Sequence, residues 1–246
     1  MGYRSGRYGR GNGDPTSSFM IIGIIIVIFI GIGIYHYLRK KKIREYCEKN
    51  RLTYEDSPVS MTGYSEPFDI LTHGNSSYYS AGMYGTRGDI ELNIVDYTYV
   101  TGYGKNRHTH NYTLCQLYRE GTQFPCFFIR DENAFFDSIG SMLGGQDIDF
   151  AEDKTFSDKF VLQGVNESDV RRFFNNKVRR AFVRHHQKGN CYESKGQCFL
   201  LYRSGHCSLE GRIAMLNNAL KIFNEISTTN YENSMGDIPR NPKYYG

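Results

Sequence analysis

Hydrophobic positions along the chain follow three different rules, and the first stretch is the most decisive. From Phe19 to Leu38 there is no formal charge, and apolar side chains fall on every side of a helix rather than along one stripe. At ~1.5 Å rise per residue, about twenty residues span ~30 Å, the hydrocarbon thickness of a bilayer. The pattern predicts a transmembrane helix. Helical spacing continues through Ile43, Tyr46 and Cys47, and Asn50 suits the left-handed position that ends a helix.

The second rule is alternation. Residues 52–88 mix short apolar pieces with Pro58, Gly63, Pro67, Gly74, Gly82, Gly85 and Gly88, which predicts strands joined by long turns. Ile90, Leu92 and Ile94 then alternate with polar neighbours, whereas Val95, Tyr97 and Tyr99 alternate on the other parity. A bulge or change of face is expected near Ile94. After a turn at Thr101–Asn106 the period of two resumes through His108, His110, Tyr112, Leu114 and Gln116, which predicts a long β-hairpin with a glycine-rich tip. A turn at Glu120-Gly121 leads into Phe124–Ile129, read as the third strand of a meander.

The third rule is the helical period of 3.6. Asn133 can cap a helix carrying Phe135, Phe136, Ile139, Met142 and Leu143, stopped by Gly144-Gly145. Short strands are expected at Asp147–Phe150 and Phe160–Gln163. From Asn166 to about His186 one longer helix is predicted, with Val170, Phe173, Phe174, Val178, Ala181 and Phe182 as its apolar stripe. A hairpin from Cys191 to Tyr202 turns at Lys195-Gly196. A last amphipathic helix, Leu209–Ile226, places Leu209, Ile213, Leu216, Leu220 and Phe223 inward.

The fold class that follows is one transmembrane α-helix plus an α+β globular domain, an antiparallel meander with a β-α-β-β-α portion. Residues 1–18 form a Gly/Arg/Tyr-rich tail expected to be disordered, 19–38 the span and 39–50 a basic juxtamembrane helix. The α+β domain covers 51–227, divisible at 145/146 into two subdomains, and 228–246 form a flexible tail.

Charge sets the expected orientation. Arg39, Lys40, Lys41, Lys42 and Arg44 follow the apolar run, against the dispersed Arg4, Arg7 and Arg10 before it. The excess predicts a cytoplasmic location from residue 39 onward, with the N-terminus outside. A cleavable signal peptide fits poorly, because its apolar region is shorter and ends at small residues, whereas this one ends in Tyr35, His36 and Tyr37. The net charge of the whole chain is only +4, so an electrostatic partner has to be met by a local patch.

Candidate chemistry is sparse. Gly102-Tyr103-Gly104-Lys105 ends like a phosphate-binding loop, but Tyr99 stands where that motif needs Gly and Asn106 where it needs Ser or Thr. His108 and His110 share one strand face and could share a metal. Asp147 and Asp149 also share a face, near Glu152 and Asp153. Ala151, however, occupies a ligand position of a calcium loop, and a turn-capping role is preferred for the pair. His185 and His186 diverge on a helix, and Cys191, Cys198, His206 and Cys207 lack the close pairs of a zinc module. A basic face on the helix from Asn166, made by Arg171, Arg172, Lys177, Arg179, Arg180 and Arg184, is the sharpest functional hint. On a tethered domain it could meet anionic headgroups or an acidic protein partner, as could Arg39–Lys42. No groove-reading or stacking motif accompanies it, which disfavours nucleic acid.

Asp96-Tyr97-Thr98-Tyr99, Gly102-Tyr103-Gly104-Lys105, Gly144–Phe150 (GGQDIDF) and the spaced Phe156, Ser157, Phe160, Leu162 and Gly164 together resemble a family of prokaryotic single-span membrane-anchored proteins. The resemblance covers Arg44 to Tyr202. It implies an anchored architecture and brings no established activity, catalytic residue or cofactor.

The function expected is a non-enzymatic interaction module at the cytoplasmic membrane face, without a cofactor. One alternative is a metal-dependent hydrolase or other enzyme using Asp147, Asp149, His108 or His110, which needs a pocket where these converge. Another is an exoplasmic domain. There Cys115 would face Cys126 across the Glu120-Gly121 turn and Cys191 would face Cys198 across a Ser194-Lys195 loop, with Asn75 and Asn111 as glycan acceptors.

Overall fold

The computed structural model describes residues 15–58, 60–61, 68–132 and 147–228. The helix expected from Asn133 and its Gly144-Gly145 stop lie outside the described residues. The chain divides into two compact units, Met1–Lys42 and Ile43–Gly246.

Helix α1 runs unbroken from Pro15 to Lys49. It starts earlier than the apolar run because Pro15, pre-set for helical φ and needing no amide donor, suits a first turn. Phe19–Lys49 is long and apolar enough to cross a membrane. Its side chains from Phe19 to Leu38 are exposed, so a helix that is apolar on all sides carries no protein cover along that length. In water such a surface is unfavourable, and the arrangement supports membrane association.

The second unit is built on one eight-stranded antiparallel sheet, in the order β1-β2-β3-β4-β8-β7-β5-β6. The strands are β1 (Thr53–Glu55), β2 (Ser76–Arg87), β3 (Ile90–Thr101), β4 (His108–Tyr118), β5 (Phe124–Asp131), β6 (Phe160–Gly164), β7 (Asn190–Gly196) and β8 (Cys198–Ser204). Helices α2 (Lys154–Ser157), α3 (Glu167–Phe173), α4 (Asn176–His185) and α5 (Leu209–Ile226) complete it. The first four strands form a meander, and β6-α3-α4-β7-β8-α5 is the β-α-β-β-α portion.

One departure concerns the strand after Glu120-Gly121. The sequence places it beside β4, but β4 pairs with β8, and β5 lies between β7 and β6. The late hairpin β7–β8 is inserted between β4 and β5, where long-range burial outweighs sequence adjacency.

Two layers of core follow from the register. Ile94, Cys115, Leu201, Tyr192, Ile129 and Leu162 face one another in turn across six strands. This row packs with Ile43 and Cys47 of α1 and with the apolar stripes of α3, α4 and α5. On the opposite face Val95, Tyr97, Tyr99, Tyr112, Leu114 and Tyr202 pack under Phe68 and Ile70.

This division explains the parity change read in β3. The strand itself does not change face: its first half is covered by helices and its second half by the Phe68–Thr72 turn. The extra residue sits on β2, where pairing shifts between Ser80 and Met83 and Ala81 takes φ 51°. Asp96 and Thr98, polar and on the helix side, are buried. The sequence pattern therefore hid their burial.

The helix expected from Asn166 to His186 is two helices. Asn166, at the expected start, caps α3 by accepting from Ser168 N and Asp169 N, but Asn175 caps α4 anew by accepting from Lys177 N and Val178 N. Asparagine competes with the helical ladder through its own side chain, which ends one helix and starts the next.

Candidate functional site

The basic surface read from sequence is largely paired. On α3, Arg171 Nε lies 2.8 Å from Glu167 and its Nη1 donates to Asp149 O at 2.7 Å, while Arg172 stands 3.8 Å from Asp169. On α4, Arg184 lies 3.4 Å from Glu225, and Lys177 Nζ donates to Thr228 Oγ1 at 2.8 Å. Arg179 is a correction. Its guanidinium is buried, 2.9 Å from Asp153 and 3.3 Å from Glu152, donates to Phe174 O and lies 4.3 Å from the Phe150 ring centre. It joins α2 to α4 and presents no charge to a partner. Arg180 is exposed. The break at Phe174-Asn175 also divides the face between two helices. Arg39, Lys40, Lys41 and Lys42 lie on α1.

The acidic pair behaves as a strand-end device. Asp147 Oδ1 accepts from Leu162 N at 3.0 Å, and Ile148 N donates to Leu162 O at 2.8 Å, so the segment lies along the outer edge of β6. Ile148 and Phe150 point into the core and Asp149 points to solvent. The stretch is extended without being a strand of the sheet. Burial pushes the Asp147 carboxyl up, against the pull of its backbone donors.

The histidine pair stands elsewhere. His110 stacks on Tyr99 with ring centres 4.6 Å apart, and its Nε2 lies 2.9 Å from Thr101 Oγ1; His108 is exposed. Between β4 and the segment on the outer edge of β6 lie β8, β7, β5 and β6, which at ~4.8 Å per strand step separates the two pairs by about 24 Å. The convergence required by the hydrolase reading is absent from this arrangement. No group of at least three His, Cys, Asp or Glu that could hold a metal occurs among the described residues.

The hairpin-disulfide reading also loses its geometry. Gly196, at φ 58°, supplies the positive φ that a two-residue loop needs. The β7–β8 loop is therefore Gly196-Gln197, and Cys191 faces Tyr202 rather than Cys198. Cys115 and Cys126 lie on β4 and β5, three strand steps or about 14 Å apart, beyond disulfide reach.

Two buried polar clusters were not foreseen. Glu193, on the face opposite the helices, accepts from Asp69 N at 2.8 Å and from Ile70 N at 3.4 Å. Burial, reinforced by the Asp69 carboxylate, pushes its pKa up to about 7. Burial likewise raises Asp69, and Lys195 opposes that rise. A cavity of about 110 Å³ adjoins them, lined by Phe68, Cys126, Phe127 and Val165 among others. That volume is well below the ~300 Å³ at which small-molecule sites begin. In the second cluster His186 Nε2 lies 2.6 Å from Asp131 and its Nδ1 3.2 Å from the Tyr192 hydroxyl. Burial lowers the His186 pKa, although Asp131 opposes this. With Gly189 N also donating to Asp131 at 2.8 Å, the cluster ties the end of α4 to β5. Asp69 and Glu193 are 124 positions apart, so no local spacing announces them.

No family model matches the chain, and no curated protein matches it in sequence. Among solved structures it is similar to the mycobacterial trehalose monomycolate transport factor A, TtfA, with a TM-score of 0.56 at 6% identity over 79% of this chain and 98% of that one. At that identity the likeness is one of fold.

Proposed function

We propose that the protein is a non-enzymatic interaction module held at the cytoplasmic face of a membrane by a single span. We place it with the prokaryotic single-span proteins that its motifs resemble. The observation that carries the reading is the exposed, all-round apolar surface from Phe19 to Leu38 on α1, joined in sequence to a body whose candidate catalytic pairs are dispersed. The basic block Arg39–Lys42 and Arg44 supports the orientation. Arg171, Arg172, Lys177, Arg180 and Arg184 are the side chains offered to an acidic protein or anionic lipid.

Alkaline carbonate washing of membranes tests the anchor. The full chain is expected to stay in the pellet, and a chain starting at Ile43 to be released. Release of the full chain would remove the reading.

A further inference from the structure

Among the glycine-rich motifs, the β3–β4 tip has no role in the core, and its geometry is nevertheless closely specified. Gly102 has φ 71°, and a Cβ there would stand 2.1 Å from Asn106 O. Asn106 N donates to Tyr103 O at 3.1 Å, and Asn75 Nδ2 holds Gly102 O at 3.1 Å. The result is a shaped turn that presents Tyr103 outward, 80% exposed. Beside it stand Lys105, Arg107 and His108, with no acidic residue from Thr101 to His108. At the same end of the sheet, where Ser76 meets Val100, Tyr78 is 58% exposed.

β1 runs from Thr53, opposite Tyr84, to Glu55, opposite Gly82, and so points toward the tip. The last turns of α1 lie antiparallel to β1: Leu52 packs on Gly85 and donates its N–H to Cys47 O at 2.9 Å, while the Arg44 guanidinium lies 5.1 Å from the Tyr54 ring centre. Within this unit the segment from Ile43 to Lys49 therefore runs away from the tip.

We propose that the Gly102–His108 tip is a second membrane contact, with Tyr103 seated among headgroups and Lys105 and Arg107 against anionic lipid. An amphipathic ring flanked by cations is the combination favoured at the membrane–water interface, and each basic side chain adds attraction to an anionic leaflet. The proposal rests on the anchored reading. It gives the exposed Tyr103 and the positive charge of this turn one occupant, the surface of a bilayer.

The test uses the full chain in nanodiscs of phosphatidylcholine with phosphatidylserine, with Cys126 and Cys207 replaced by serine. A fluorophore is placed at Tyr103→Cys or, at the opposite end of β3, at Asp89→Cys. Quenching by nitroxide-bearing lipid is expected to be at least about twofold stronger at 103 than at 89, with aqueous iodide giving the reverse order. Lys105→Glu with Arg107→Glu, or discs of phosphatidylcholine alone, is expected to erase the difference. Equal quenching at both sites in a chain that has entered the discs would overturn the tip contact. Failure of the chain to enter the discs would instead overturn the anchored reading beneath it.

Discussion

Arg212 of α5 and Asp96 of β3 form an ion pair at 2.6 Å with side chains 0% and 1% exposed. Arg212 Nη1 also donates to Ala81 O at 2.7 Å and Ile94 O at 3.2 Å. The bulge on β2, with Ala81 in the left-handed region, thus turns a carbonyl inward to meet a buried guanidinium. Thr113 Oγ1 lies 3.1 Å from the same carboxylate and accepts from Cys207 N at 2.8 Å, which brings the chain just before α5 into the network.

Removing one partner should strand a charge in the core. Arg212→Ala or Asp96→Ala is expected to cost about 3–5 kcal/mol, and replacing both by apolar residues of similar volume much less. Denaturant titration of the detergent-solubilised chain reads this. A single variant as stable as the parent would show that the pair does not hold the bulge.

Glu193 makes stability depend on pH in a defined direction. Its folded pKa of about 7 lies above the ordinary 4.5, so between these values the native state binds more protons than the unfolded one. Stability is then greatest below pH 4.5 as far as this group is concerned, and declines as pH rises to 7, by roughly 3 kcal/mol. His186, held low by burial, acts in the opposite sense at its own pKa, so the parent must be compared with Glu193→Gln. Melting curves should show that the variant lacks this decline; parallel profiles would contradict the assignment.

The arginines of α4 should separate by burial. Arg179→Ala is expected to destabilise by about 2 kcal/mol through lost charged hydrogen bonds, whereas Arg180→Ala should stay within ~0.5 kcal/mol. Equal effects in thermal melts would place Arg179 on the surface.

Loss of the second cap tests why one predicted helix became two. Asn175→Ala leaves Lys177 N and Val178 N without their acceptor and should cost about 1 kcal/mol. A gain in stability with added helical circular dichroism would mean that a continuous helix is the better state and Asn175 merely interrupts it.

Legibility followed how local each cause was. The apolar span, the β3–β4 hairpin and α5 were readable because their signals repeat within a few residues. The split at Asn175 is not readable, since a cap and a tolerated helical asparagine look alike in a continuous apolar stripe. The burial of Arg212, Asn218 and Glu193 is not legible, because charge and polarity ordinarily signal exposure. In fact Arg212 meets Asp96, Asn218 Oδ1 accepts from Asn190 at 3.2 Å, and Glu193 holds the Asp69 turn. The place of β5 could not be read at all, because it depends on a hairpin encoded about sixty residues later.

The side of the membrane on which the folded body lies is the claim on which the functional account turns, and a cysteine placed at exposed Asn176 reads it most directly. With a membrane-impermeant maleimide, Asn176→Cys is expected to stay unlabelled in sealed cells and react after lysis, while Ser5→Cys reacts in sealed cells. Labelling of Asn176→Cys in sealed cells, or glycan attachment at Asn75, would contradict the account.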